Sequence, residues 1–236
     1  MMVRDIASRI SVAAVPAASA LIYKLLVSPS IDLSDNLAVF ISTMGGVLLS
    51  LFLDWLLDVP MTFASLRPIW DARARVEGLW FEVIGSNADC VYSVCCIEFN
   101  KASRKFTMGG RAYSGDGHLE SEWKSDDVTI KCSGHGIELV YMYKACYRDG
   151  HRSAAEGTGS AQISRNTSTG RYLTGTGSYI DTERRNGPTG YRMQRLEPAL
   201  LHRYIGKQSL ETIEDEELFA RKYHEARAAD VRRKAA

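Results

Sequence analysis

The sequence predicts an α-helical transmembrane hairpin joined to an all-β domain, a small antiparallel up-and-down barrel of about eight strands, followed by a C-terminal helical tail. Three observations carry that prediction. Apolar runs with almost no charge fill the stretch before Asp54. Beyond Gly78 the apolar period changes from helical to alternating, the mark of half-buried strands. The gaps between the alternating runs are built from Gly, Ser, Asn and Asp, which supply tight turns. The chain divides accordingly into membrane helices over residues 1–60, a connector over 61–77, the barrel over 78–200 and the tail over 201–236.

The anchor comes first. Leu37 to Leu53 carries no charge, and extension through Trp55 to Leu57 gives the roughly 20 residues that a bilayer core requires. Ile10 to Val27 is a weaker span, interrupted by Pro16 and Lys24; a lysine so near the end reaches the headgroups, and proline is tolerated in membrane helices. A cleavable signal peptide is the other reading of this segment, because Arg4 and Arg9 precede it. The second apolar span and the cysteine usage argue against export. Ser28 to Asn36 holds Asp32 and Asp35 but no basic residue, whereas Arg4 and Arg9 precede the spans and Arg67, Arg73 and Arg75 follow them. That bias places both termini in the cytoplasm. Ala14 and Ala18 in the first span, and Ser42, Gly46 and Ser50 in the second, give small-residue faces on which helices approach closely. Such faces close a hairpin within the chain or assemble several chains, and both readings stay open.

In the connector, Pro60, Pro68 and Trp70 among mixed charges suit an interfacial segment. Strands are predicted near Leu79–Ile84, Cys90–Phe99, Lys105–Tyr113, His118–Lys124, Val128–Cys132, Ile137–Arg148, Gly157–Ser164, Tyr172–Asp181 and Tyr191–Leu196. The short turns favour a meander, and a helix-free meander of that length removes its edges by closing. Glycines inside strands, at 109, 110, 157, 159, 175 and 177, suit sharp barrel bends. No helical segment follows Gly157-Thr158-Gly159 or Gly175-Thr176-Gly177, which excludes a phosphate-binding loop of the dinucleotide fold. Gly78-Leu79-Trp80, with Arg192 and Arg195 in the last strand, resembles the lipocalin arrangement in which tryptophan under arginine plugs one barrel end. The tail opens on Thr212 and Glu214 to Glu217 and closes on Arg227, Arg232, Arg233 and Lys234, a polarity that matches the helix dipole. Ile213, Phe219 and Tyr223 are too sparse for a buried helix, so a solvated or partner-docking helix is expected.

Lysine and arginine total 29 against 28 for aspartate and glutamate, so no global field marks a binder of nucleic-acid polymers. The 5 cysteines are odd in number and lack zinc-type pairs, which points to free thiols in a reducing compartment. Adjacent Cys95 and Cys96 face opposite sides of a strand, and buried inert thiols are expected. There is no nucleophile elbow, no HExxH and no Walker loop, so no enzymatic activity, cofactor or metal is called for. The barrel does carry aromatic and cationic side chains that can stack bases and pair phosphates. Arg111 and Tyr113 share one face, Tyr141, Tyr143 and Tyr147 another, and Trp123 lies opposite Glu122 and Lys124. The aromatics can equally fill the barrel. Arg184 and Arg185, in the loop from Glu183 to Thr189 with Arg192 nearby, make the most cationic turn of the domain.

Two apolar spans, a short acidic loop, and a meander that begins Gly78-Leu79-Trp80 and closes with Tyr191-Arg192-Met193 resemble the two-transmembrane, β-barrel effectors of bacterial CBASS antiphage defence. The resemblance covers the chain to about Leu196 and lies in architecture, not in a diagnostic motif. It implies a protein of the bacterial inner membrane whose cytoplasmic barrel binds a cyclic dinucleotide. Binding then drives homo-oligomerisation, and the helices disrupt the lipid bilayer and kill the cell. Such a ligand calls for aromatic faces, arginines and hydroxyls such as Thr176 and Ser178. The reading from another class is a membrane-anchored, lipocalin-like domain for a lipid or other apolar molecule, which the Ser-, Thr- and Tyr-rich strands disfavour.

Overall fold

A computed structural model describes residues 15–25, 27, 35–85, 90–134, 136–148, 154–182 and 187–235. The chain forms two compact units, residues 1–72 and 73–236. The tail predicted as a separate region therefore belongs to the barrel unit.

The first unit holds α1 (Val15–Leu25), α2 (Asp35–Thr62) and the short α3 (Arg67–Trp70). From Asn36 to Thr62, 27 residues, α2 is long and apolar enough to cross a membrane. At 1.5 Å per residue it exceeds the ~30 Å of a bilayer core. Its apolar side chains stay uncovered, Phe40 at 63% exposure and Leu51 at 62%, an apolar surface of the kind that marks a membrane or partner contact. The predicted first span is described only over Val15–Leu25, shorter than a bilayer crossing, and Ala14 lies outside the described residues. On α2, Ala38, Ser42, Gly46 and Met61 are buried. A Cβ on Gly46 would collide with the Ser19 hydroxyl, and one on Gly45 would lie 3.3 Å from Ile22 Cδ1. The small-residue face at Ser42 and Gly46 thus seats α1 within the same chain, with Ala18 and Ser50 partly buried. Past the end of α2, buried Arg67 donates from Nε to the Met61 carbonyl at 2.8 Å. That satisfies an oxygen the helix leaves without an internal partner.

A 3-10 turn (Ala72–Val76) leads into the second unit, which among the described residues has nine strands: β1 (Gly78–Ile84), β2 (Val91–Asn100), β3 (Lys105–Tyr113), β4 (Leu119–Ser125), β5 (Val128–Cys132), β6 (Gly136–Tyr147), β7 (Ala155–Arg165), β8 (Tyr172–Asp181) and β9 (Thr189–Arg195). Sequential strands pair antiparallel, except that β4 and β5 both pair with β6. Lys124 lies opposite Lys144 and Val128 opposite Tyr141, so β4 and β5 form one stave with one extra residue, a bulge. The eight staves close where β9 returns to β1, from Trp80 opposite Arg195 to Ile84 opposite Tyr191. The predicted antiparallel barrel is therefore present, and β4 pairing with β6 leaves no free edge there.

Two clusters hold the barrel unit together. Inside, Trp80, Ile97, Phe106, Met108, Ile137, Leu139 and Ile163 fill the end at which β1 begins. Outside, α4 (Pro198–Ile205) and α5 (Ile213–Ala235) lie on a second cluster that includes Phe81, Tyr92, Val94 and Tyr113. Thr212 caps α5 by accepting from the Asp215 backbone N–H at 3.3 Å. Phe219 and Ala220 are 0% exposed, which overturns the expectation of a solvated tail. Few apolar positions suffice because each is large or tightly fitted. Phe219 meets Phe81 edge-on with centroids 5.0 Å apart, and Tyr223 meets it at 4.8 Å.

Candidate functional site

The two ends of the barrel interior differ. At the apolar end Trp80, fully buried, donates from Nε1 to the Val76 carbonyl at 2.9 Å. The Arg195 guanidinium sits 5.7 Å from the Trp80 ring centroid and donates to the carbonyls of Arg75 (2.8 Å) and Glu77. The arginine-over-tryptophan plug expected from Gly78-Leu79-Trp80 is thus formed, by Arg195 and not by Arg192.

The other end is an open cup of about 130 Å³. Trp123, Tyr141, Tyr143, Tyr179 and Tyr191 wall it, with Glu82, Ser121 and Ala145 between them and Tyr147 and Glu120 toward the strand ends. The rings form a connected set: Trp123 stacks on Tyr141 at 6.1 Å, Tyr143 meets Tyr179 edge-on at 5.9 Å, and Tyr179 lies 6.4 Å from Tyr191. Their hydroxyls are partnered. Tyr141 and Tyr191 share a hydrogen bond of 2.9 Å, and Tyr143 donates to Asp181 Oδ1 at 2.6 Å. Burial pushes all three phenols well above their ordinary pKa of 10.0, so they remain neutral donors.

The strand glycines make this cup possible. Tyr141 lies opposite Gly159, Tyr143 opposite Gly157 and Tyr191 opposite Gly177. A Cβ on any of these glycines would run into the facing tyrosine ring. They act as seats for rings, where bends are expected, a role legible from cross-strand register and not from spacing along one strand.

Glu82, on β1, is 3% exposed and reaches into the cup. Desolvation raises its pKa from 4.5 to about 7, against hydrogen bonds from Ser93 and Cys95 that lower it. Its Oε1 has no hydrogen-bond partner. Sequence reasoning passed over this residue; the signal was a charged residue at an inward position of the alternating run Trp80-Phe81-Glu82-Val83-Ile84.

The predicted binding residues fall into three groups. Trp123, Tyr141 and Tyr143 come together in the cup, and Tyr147 joins them. Arg111 and Tyr113 do share a face, but it is the outer one: both bond Glu216 of α5, Tyr113 at 2.5 Å and Arg111 at 3.1 Å. Thr176 and Ser178 alternate with the inward Gly175 and Gly177, so they lie outside with Gln162 and Glu138 in a separate shallow depression. Arg192 is likewise exposed on the outer wall, beside Tyr223 and Arg227. Arg184 and Arg185 lie outside the described residues. The expected set of rings, arginines and hydroxyls is therefore not assembled in one place, and no lysine, arginine or histidine is among the described lining residues of the cup. Of the adjacent pair, Cys95 is a buried thiol as expected and Cys96 is only half-buried; Cys90 is also buried, whereas Cys132 and Cys146 are exposed. No three His, Cys, Asp or Glu side chains among the described residues could hold a metal ion. No known protein family, no curated protein and no solved structure matches this chain, so the reading of the site rests on its geometry.

Proposed function

We propose that this protein is a membrane-anchored sensor, a CBASS-type effector whose barrel takes a base of a cyclic dinucleotide into the aromatic cup and whose helices carry the output. The observation that supports it best is the cup itself: five aromatic side chains around an open space of about 130 Å³ in a barrel whose other end is packed shut. That space compares with the ~150 Å³ cavity that accommodates one benzene ring. A space of that size suits one ring system better than a lipid chain, which favours this reading over an apolar carrier. Base-on-aromatic stacking contributes roughly 1–3 kcal/mol per base. The acidic lining keeps phosphates out, so they stay at the mouth.

A ligand with two bases, meeting cups that admit one ring each, can present its second base to a second chain. Assembly follows because the ligand then binds the dimer better than the monomer. In this reading α1 and α2 cross the inner membrane with both termini in the cytoplasm, and chain assembly repacks the face around Ser42 and Gly46 to disrupt the bilayer.

The test uses the full chain in detergent micelles with cyclic di-AMP, cyclic di-GMP and palmitate as probes. A cyclic dinucleotide should raise the unfolding temperature in proportion to the logarithm of its concentration. Equilibrium titration should show one ligand per two chains. Stabilisation by palmitate alone overturns the reading.

A further inference from the structure

Glu82 presents an arrangement that packing does not explain. It lies opposite Ser93 on β2 and Met193 on β9, inside the barrel and next to the cup. Trp123 donates from Nε1 to Ser93 Oγ at 3.2 Å, which leaves the Ser93 hydroxyl proton for the Glu82 carboxyl. Cys95 supplies a second bond. Two donors from β2 thus hold the carboxyl, yet Oε1 meets no donor in the protein. A buried acceptor left bare costs roughly 1–3 kcal/mol, more if charged, and a glutamine or methionine would fill the same space without a charge. A bare oxygen held rigidly at the wall of an open aromatic cup is the complement of a donor carried by something else.

The class of that donor follows from the surroundings. The rings of Trp123 and Tyr141 are stacked with 21° between their planes, a wall that favours a flat ring. The described lining has Glu82 and Glu120 and no cation, which disfavours carboxylates and phosphates in the cup. We propose that Glu82 is the specificity-determining residue of the cup, accepting a hydrogen bond at Oε1 from an exocyclic amino group on a planar nitrogen heterocycle. Amino-bearing bases are thereby selected over those that lack the amino group. This rests on the nucleotide reading above and names what that site discriminates. The discrimination is large when a site built to hydrogen-bond is offered an analogue without the donor, because the buried group is then left unpaired.

The experiment compares matched ligands on the full chain in detergent micelles by isothermal titration: cyclic di-GMP against cyclic di-IMP, which differ by the 2-amino group, and cyclic di-AMP against its purine analogue without the 6-amino group. In at least one pair the amino-bearing member should bind at least about tenfold tighter. In E82Q, whose amide can present either an acceptor or a donor, that preference should shrink to about twofold or less. A second arm needs no variant. Cys95 from β2, Tyr141 from β6 and Tyr191 from β9 face the carboxyl and are held neutral by burial, so Glu82 changes charge alone among them as pH passes 7. Affinity for the amino-bearing member should therefore rise up to about tenfold from about pH 6 to about pH 8, and affinity for its partner should not. Equal binding within both pairs, or a preference that survives E82Q, overturns the role of Glu82 and leaves the cup as a nucleotide site. Failure of all four ligands to bind folded protein overturns both.

Discussion

At the plugged end of the barrel Trp80 is buried with its N–H on the Val76 carbonyl, and Arg195 covers it with donors directed at Arg75 and Glu77. At the cup end Glu82 is almost as deeply buried and keeps one oxygen bare. The first end satisfies its polar atoms and behaves as core; the second leaves an acceptor, five rings and an opening. Where a small barrel tolerates an unfinished polar group, the completing partner is expected from outside.

The sharpest way to break that contrast is at the plug. Trp80→Ala removes a fully buried indole and should cost about 3–5 kcal/mol, read as a lower midpoint in chemical denaturation, without altering ligand preference in whatever fraction stays folded. Next comes Glu82→Gln. In the folded chain Glu82 holds its proton up to about pH 7, whereas the unfolded chain releases it near the ordinary value of 4.5. Below about 4.5 both states are protonated; between there and about 7 only the folded state is, so stability falls as pH rises, and above about 7 the loss is complete. The gap corresponds to about 3 kcal/mol. Glu82→Gln should flatten the unfolding temperature across that window and exceed the wild type above it.

Smaller effects probe the seats of the rings and the outer wall. Gly159→Ala places a methyl against Tyr141 and should destabilise by about 1–3 kcal/mol while weakening cup ligands, measured by thermal unfolding and titration together. Arg111→Ala breaks the contact with Glu216 and should cost about 1 kcal/mol or less, with ligand affinity unchanged within about twofold. A large loss of affinity in Arg111→Ala would move the binding site to the outer face.

Much of the architecture was legible because strands announce themselves locally. Lys105–Tyr113, Val128–Cys132 and Tyr172–Asp181 coincide with β3, β5 and β8, since alternation and turn residues depend on near neighbours. The cup was legible in part: inward tyrosines at 141 and 143 follow from parity within one strand. What could not be read was which face each strand offers its neighbours. Thr176 and Ser178 are expected at the ligand, yet Gly175 and Gly177 take the inward positions because Met193 and Tyr191 need the room across the sheet. Arg111 and Tyr113 have their partner, Glu216, 105 and 103 residues away on a helix whose sparse apolar positions predict a solvated or partner-docking element, not one packed on its own barrel. Periodicity counts apolar positions, whereas docking depends on area, and aromatic rings concentrate that area in few residues.

The docking of α5 also orders events in time. Strand β1 needs β9 to close the barrel, and its outer face, with those of β2 and β3, needs Phe219 and Tyr223 for cover. During synthesis, α2 leaves the ribosome well over 100 residues before that cover, and chain elongation at about 5–20 residues per second makes the interval roughly 8–30 seconds. The barrel's outer core is therefore completed last: Phe81 and Tyr92 stay bare until α5 has been made and docks on them.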